Sequence, residues 1–299
     1  SLARWSALSL AAILTRFLIQ HLWPQGRIRV VGDDTVTEHP GRKVHGKARH
    51  RDSVRSSHRY TAWRWGHKWV VLAILVRFPF ARRAWALPVL VTLYRSQQDN
   101  AKRRRPHKTP AQHLQLLLRI LLRWLPDRQF VFAGDHSYGS HEMAVWVANS
   151  RGKLHLVSKF YPDANLYEPP PPYGGKGRPR VKGAKLPTPK EVVAGARRTR
   201  LNVAWYGGGR RDVEVVSGTG HWYKAGQGLV EVRWVYVHDL SGTHRDEYFY
   251  STDVTMTAQE IIEEYTGRWN LETDHPHSTS SARWVVRDPT AYHLRDCAA

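Results

Sequence analysis

The stretch Thr109-Pro-Ala-Gln-His-Leu-Gln-Leu-Leu-Leu-Arg-Ile-Leu-Leu-Arg-Trp124, followed shortly by Gln129-Phe-Val-Phe-Ala-Gly-Asp135, decides the fold class. Thr109 suits a helix N-cap, and Pro110 suits the first helical position, where a missing N–H costs nothing. Leucines at 114, 117, 118, 121 and 122 give the helix one apolar face. Gln129 to Ala133 is an apolar run of strand length, and Asp135 sits just past its end. Upstream, Gly26-Arg-Ile-Arg-Val-Val-Gly-Asp-Asp34 reads as another strand ending in two carboxylates. Trp69 to Val76 and Trp85 to Leu93 are continuous apolar runs, as in central strands covered on both faces. Gly139 to Asn149 looks helical, and Lys153 to Ser158 returns to strand. This alternation predicts an α/β fold.

Residues 1–25 hold an amphipathic helix over Leu10 to Trp23, interrupted by Arg16, Gln20 and His21, and read as the remnant of an N-terminal region. The run is too short and too polar to span a bilayer and lacks a signal-peptide cleavage site. Residues 26–165 form the first part of the core. Within them, 38–68 are rich in Arg, Lys and His without apolar period, which predicts loops or a basic surface. Composition shifts at Pro169-Pro-Pro-Pro172, and 166–199 read as a Pro/Gly/basic linker. In 200–253, strands over Leu201–Tyr206, Asp212–Val216, Leu229–Val237 and Glu247–Ser251 make a β-rich insert. Thr257 and Glu260 form a capping box that opens a helix in 254–275. Beyond Pro276 the Ser/Thr-rich chain is expected to be irregular to residue 299.

Lys and Arg number 46 against 25 for Asp and Glu, a net charge of +21. Nucleic acid is the polyanion such an excess most often meets, ahead of an anionic membrane surface. With 41% hydrophobic residues and 13 tryptophans the chain is not disordered. The single cysteine, Cys297, excludes an internal disulfide framework and fits a reducing, cytoplasmic setting.

Tyr265, Arg268 and Glu272 stand at i, i+3 and i+7, so a helix puts a hydroxyl, a guanidinium and a carboxylate on one face. With Asp34 and Asp135 at strand ends, the set suits a phosphodiester held beside divalent metal. Each aspartate alone is equally at home in a turn. Mg²⁺ takes hard oxygen ligands, with Mn²⁺ as a substitute, and a metal pair can assist in-line displacement at phosphorus without a protein nucleophile. The histidines at 45, 50, 58 and 67 lack the second tight pair or cysteine that zinc favours. Tyr206-Gly-Gly-Gly-Arg210 lacks the Lys and Ser/Thr of a P-loop, so no nucleotide cofactor is indicated.

The motifs Gly-Asp-Asp34-Thr, Tyr60-Thr-Ala-Trp-Arg-Trp-Gly-His-Lys68, Gly-Asp135-His-Ser-Tyr-Gly and Tyr265-Thr-Gly-Arg-Trp-Asn-Leu-Glu272 carry a resemblance. Over Val30 to Glu272 the chain resembles a prokaryotic insertion-sequence transposase of the DDE superfamily, in the branch with a Tyr-x2-Arg-x3-Glu-x6-Lys signature. The resemblance implies an RNase H-like core, a mixed sheet flanked by helices with a β-rich insert between the second Asp and the Glu, and a metal-binding catalytic triad of Asp34, Asp135 and Glu272. The residue before Thr35 fits the pattern better, with Asp33 competing for that position. Tyr265 and Arg268 would contact transposon-end DNA. The implied activity is metal-dependent strand cleavage and strand transfer at double-stranded element ends and target, by a homodimer on DNA and without a membrane. Lys102, Arg103, Arg104 and Arg105, with the basic loops at 42–68, would hold the DNA backbone. Thr279 stands where the signature has lysine, and Pro276 interrupts the helix, so an inactive DNA-binding remnant is the alternative expectation.

Overall fold

Leu114, Leu117, Leu118 and Leu121 are buried along one side of helix α3 (Pro110–Trp124), on a sheet whose central strands are β1 (Ile28–Glu38) and β5 (Phe130–Ala133). The computed structural model describes residues 6–268 apart from 24, 40, 42–43, 53–55, 57–58, 82–83 and 176. Glu272, Pro276, Thr279 and Cys297, and the expectations attached to them, lie outside the described residues, as does His58. The capping box of Thr109 and Gln112 starts α3, with Pro110 in its first turn. Each fully buried leucine contributes about 1.5–3 kcal/mol, which makes this stripe a principal anchor of helix to sheet.

Strand β3 (Trp63–Val76) runs antiparallel to both β1 and β4 (Trp85–Tyr94), while β1, β5 and β6 (Leu154–Lys159) are parallel neighbours. The core order is therefore β4-β3-β1-β5-β6. Helices supply the crossovers that parallel strands require: α3 precedes β5, and α4 (His141–Ala148) joins β5 to β6. This is the mixed, helix-flanked sheet of an RNase H-like fold. Pro88 cannot donate to a ladder, and the register of β4 on β3 shifts beside it, between Leu72 and Ala73.

The β-rich stretch continues the same sheet. Strand β11 (Glu247–Ser251) pairs with β6, then β10 (Gly228–Asp239), β9 (Arg210–Lys224) and the short β7 (Leu166–Tyr167) follow, and β8 (Thr199–Ala204) also pairs with β9. The Pro/Gly/basic stretch doubles back near β7, where Glu168 N–H donates to the Ala184 carbonyl and the Glu168 carbonyl accepts from Gly183 N–H, and it leads into helix α5 (Pro189–Gly195). A Thr188–Glu191 capping box starts α5.

One expectation about a basic segment needs correction. Residues 38–68 are not all loop: β2 (Ala48–Arg51) pairs with the first residues of β3 to make a two-stranded ribbon. Its alternation is real but is carried by Ala48 and His50 on the inner side, too weakly apolar for a hydropathy period to register. Helix α2 (Gln97–Lys102), capped by Ser96, leads directly into the basic turn at Arg103 and Arg104.

Helix α1 (Ala7–Leu22) packs Ile19 with Leu18, Leu22 and Trp23 against Ile74, Val76 and Leu87. Among the described residues no helix is long and apolar enough to cross a membrane. Gly66 shows how closely the strands are set: a Cβ there would lie 2.0 Å from the Thr37 carbonyl oxygen, which is backbone and cannot swing away. Gly66→Ala is expected to cost about 3 kcal/mol or more in chemical denaturation, since overpacking against fixed atoms must move a strand.

Candidate active site

Side chains alternate along β1, so Asp33 and Asp34 point to opposite faces of the sheet. Ile28, Val30 and Gly32 share the face of Asp34, and this is the side that carries α3: a Cβ on Gly32 would lie 2.5 Å from a Leu114 methyl. On that side the Asp34 carboxylate is fully engaged. Tyr138 Oη donates to its Oδ2 at 2.8 Å, and Lys68 Nζ lies 2.7 Å from its Oδ1. Burial first, then the neighbouring Asp34 charge, pushes the Tyr138 hydroxyl far above the usual tyrosine range. His50, on the same side, is held below its ordinary value by burial and by Lys68.

Arg29, Val31 and Asp33 face the other way, toward helix α6 (Ala258–Gly267). Arg29 Nε meets Glu264 Oε1 of α6 at 2.7 Å, which fixes that helix over β1. Ile261, Ile262 and Tyr265 pack on Val131 and Val157 of β5 and β6. The Thr257–Glu260 capping box starts the helix, and Glu263 accepts from the Ala204 backbone N–H at 2.9 Å, tying its far side to β8.

Asp135 lies two residues beyond Ala133, whose neighbour in the parallel ladder is Val31. It stands at the same end of the sheet as Asp33. Its Oδ1 accepts from the backbone N–H groups of Ser137 and Tyr138 at 2.9 and 3.2 Å, an Asx turn, and its Oδ2 accepts no hydrogen bond among the described residues. The turn is held from behind, where Ser158 Oγ donates to the Asp135 carbonyl at 3.0 Å and Gly139 leaves no room for a Cβ beside Ser158.

The charges on this face act on one another. Burial pushes Asp33 up to about 7; a backbone bond from Asp34 offsets part of that, Asp34 and Asp135 add to the rise, and Arg268 opposes it. Arg268 is buried, lies over the Tyr265 ring at 5.4 Å and hydrogen-bonds its hydroxyl. Tyr265 is itself buried, stacked on Phe249 with ring centroids 4.4 Å apart, and burial pushes its hydroxyl up to about 12.

The structure thus groups Asp33, Asp135, Tyr265 and Arg268 on the α6 face, and it puts Asp34 on the α3 face with Lys68 and Tyr138. Lys102, Arg103, Arg104 and Arg105 are exposed at and after the end of α2, where Arg103 pairs with Asp99 at 3.1 Å. Among the described residues no three His, Cys, Asp or Glu side chains are grouped to hold a metal. Asp33 and Asp135 nevertheless offer hard carboxylate oxygens beside the Arg268 guanidinium, a set that suits a divalent cation of the magnesium class. Sequence reading missed the Glu247 carboxylate beside this face, which accepts from Tyr206 Oη at 2.9 Å; nothing in its local sequence marks it.

The family model for DDE superfamily endonucleases matches residues 1–212. Comparison with curated proteins gives no match. Among solved structures, the chain is similar to a piggyBac transposase seen by cryo-electron microscopy in a synaptic complex with hairpin DNA. The identity is 10% and the TM-score 0.37 over 89% of this chain and 46% of that one, so the chain spans less than half that protein's length.

Proposed function

The chain belongs to the DDE superfamily endonuclease family, and from that premise we propose that it is a DNA transposase, cutting strands at the ends of an insertion-sequence element and joining them to target DNA. The observation that carries this reading is the grouping of Asp33 and Asp135 with Tyr265 and Arg268 at the end of α6. On this reading Asp33, Asp135 and Glu272 hold Mg²⁺ or Mn²⁺. When bound, the metal stabilises charge on the attacking and leaving oxygens at phosphorus.

The chain's own groups do the rest. Arg268, already close enough to Asp33 to lower its proton affinity, offers a guanidinium to a non-bridging phosphate oxygen. Tyr265 holds Arg268 in place through its hydroxyl, so its role is positioning. The Asp34–Lys68–Tyr138 cluster locks the middle of β1 from the opposite side, which keeps the Asp33 backbone rigid. A homodimer on paired element ends, acting in the cytoplasm, completes the proposal.

The test is a strand-cleavage and strand-joining assay with Mg²⁺ on DNA carrying the element's ends. Asp135→Ala is expected to abolish both steps while leaving end binding nearly unchanged; Mg²⁺-dependent cleavage undiminished in that variant would sink the assignment.

Binding gives a separate prediction. Four exposed cations at 102–105 contact phosphates without reading sequence. Neutralising Lys102, Arg103, Arg104 and Arg105 together is expected to flatten the slope of log affinity against log salt by up to about 3 to 4. An unchanged slope would place the cluster off the DNA path.

A further inference from the structure

We infer that the β2–β3 ribbon is a stacking platform for unpaired bases of a DNA strand. Trp63 and Trp65 are 50% and 59% exposed, and being two residues apart on β3 they present their rings on one face. The ladder sets Arg51 opposite Trp63 and Arg49 opposite Trp65. The Arg49 guanidinium lies 4.9 Å from the Trp63 ring centre, and the Lys47 ammonium lies 5.8 Å from that of Trp65. The other side of the ribbon, formed by Ala48, His50 and Gly66, is turned inward. The fold therefore has no packing use for these indoles, yet it holds them side by side, each under a cation.

Position gives the platform its meaning. In the β1–β3 register Asp33 faces Val71, so Trp65 and Trp63 lie on the same face of the sheet as Asp33. From Val71 to Trp65 is six residues, roughly 20 Å along an extended strand. Because β3 runs against β1, that distance leads outward from the carboxylate end of the sheet. A DNA strand entering the site would cross the ribbon at about six base steps from the reacting phosphate.

The chemistry selects the occupant. Indole faces match base faces whatever the sequence, and the interleaved cations neutralise the strand's phosphates. Tryptophan offers a single N–H and no acceptor, which is poor equipment for reading base-pair edges in a groove. Bases within a duplex are already stacked on each other, so the free faces are those of an unpaired stretch. This inference rests on the reading of the chain as a DNA strand-transfer enzyme.

The whole chain would be titrated, with EDTA present to prevent cleavage, against a labelled duplex and against the same duplex carrying an unpaired tract of about four nucleotides, centred about six positions from its end. The protein is expected to bind the DNA with the unpaired tract more tightly. The double substitution Trp63→Ala, Trp65→Ala should weaken that binding at least about 10-fold while changing duplex affinity less than about twofold. Phenylalanine at both positions should restore most of the loss, and retained duplex binding shows that the variant has folded. Equal losses on both DNAs, no loss on either, or a larger loss on the duplex would overturn the platform and leave the transposase reading standing. Failure of the unsubstituted chain to bind either DNA would overturn both.

Discussion

Asp33→Asn is expected to lower metal-dependent strand cleavage by about 10³-fold or more, and Asp34→Asn by no more than about 10-fold. The two residues are adjacent in sequence and chemically identical, so the contrast comes entirely from the faces they occupy. Asparagine at 33 removes an anionic oxygen from the pair formed with Asp135, and a hard cation is held poorly by an amide in its place. Asparagine at 34 weakens the ion pair with Lys68 but still accepts from Tyr138, so it should cost about 1–3 kcal/mol of stability and leave the α6 face intact. Single-turnover cleavage under saturating Mg²⁺ separates the cases. The opposite ranking, with Asp34→Asn inactive and Asp33→Asn active, would return the first ligand to the position that the sequence pattern favours.

That ambiguity shows where sequence reading stops. Both aspartates follow Val30-Val31, and each valine is buried on its own face, so no polar alternation tells one side of β1 from the other. What distinguishes the faces is long-range: Leu114 over Gly32 on one side, Glu264 against Arg29 on the other. Local signals, in contrast, were legible. The cap at Thr109 and the leucine stripe gave α3, and the Thr257–Glu260 box gave α6. The ribbon of β2 and early β3 was not legible, because its inner residues are Ala, His and Gly and its largest apolar side chains face solvent. The helical spacing of Tyr265 and Arg268 did place both on one side, but that side packs against the sheet, which makes Tyr265 a buried support.

Asp33 should also make the metal-free protein less stable as pH rises. An acid whose value is raised on folding, here from 3.8 to about 7, keeps in the folded state a proton that the unfolded chain has released. Relative to a neutral residue, the penalty is absent below about pH 4, grows through the interval to about 7 and is constant above it. Its upper bound is about 4 kcal/mol, and partial exposure of the carboxylate reduces that to about 1–3 kcal/mol. Asp33→Asn removes the penalty, so in EDTA the variant should melt above the parent at pH 8 by about 2–5 °C, with the gap largely closed at pH 4.5. Mg²⁺ at pH 8 should raise the melting temperature of the parent, since a ligand bound only by the folded state stabilises it, and should move the variant far less. A variant that melts below its parent at pH 8 without metal would show that burial does not penalise the Asp33 carboxylate, and one that responds to Mg²⁺ as the parent does would show that Asp33 is not a ligand.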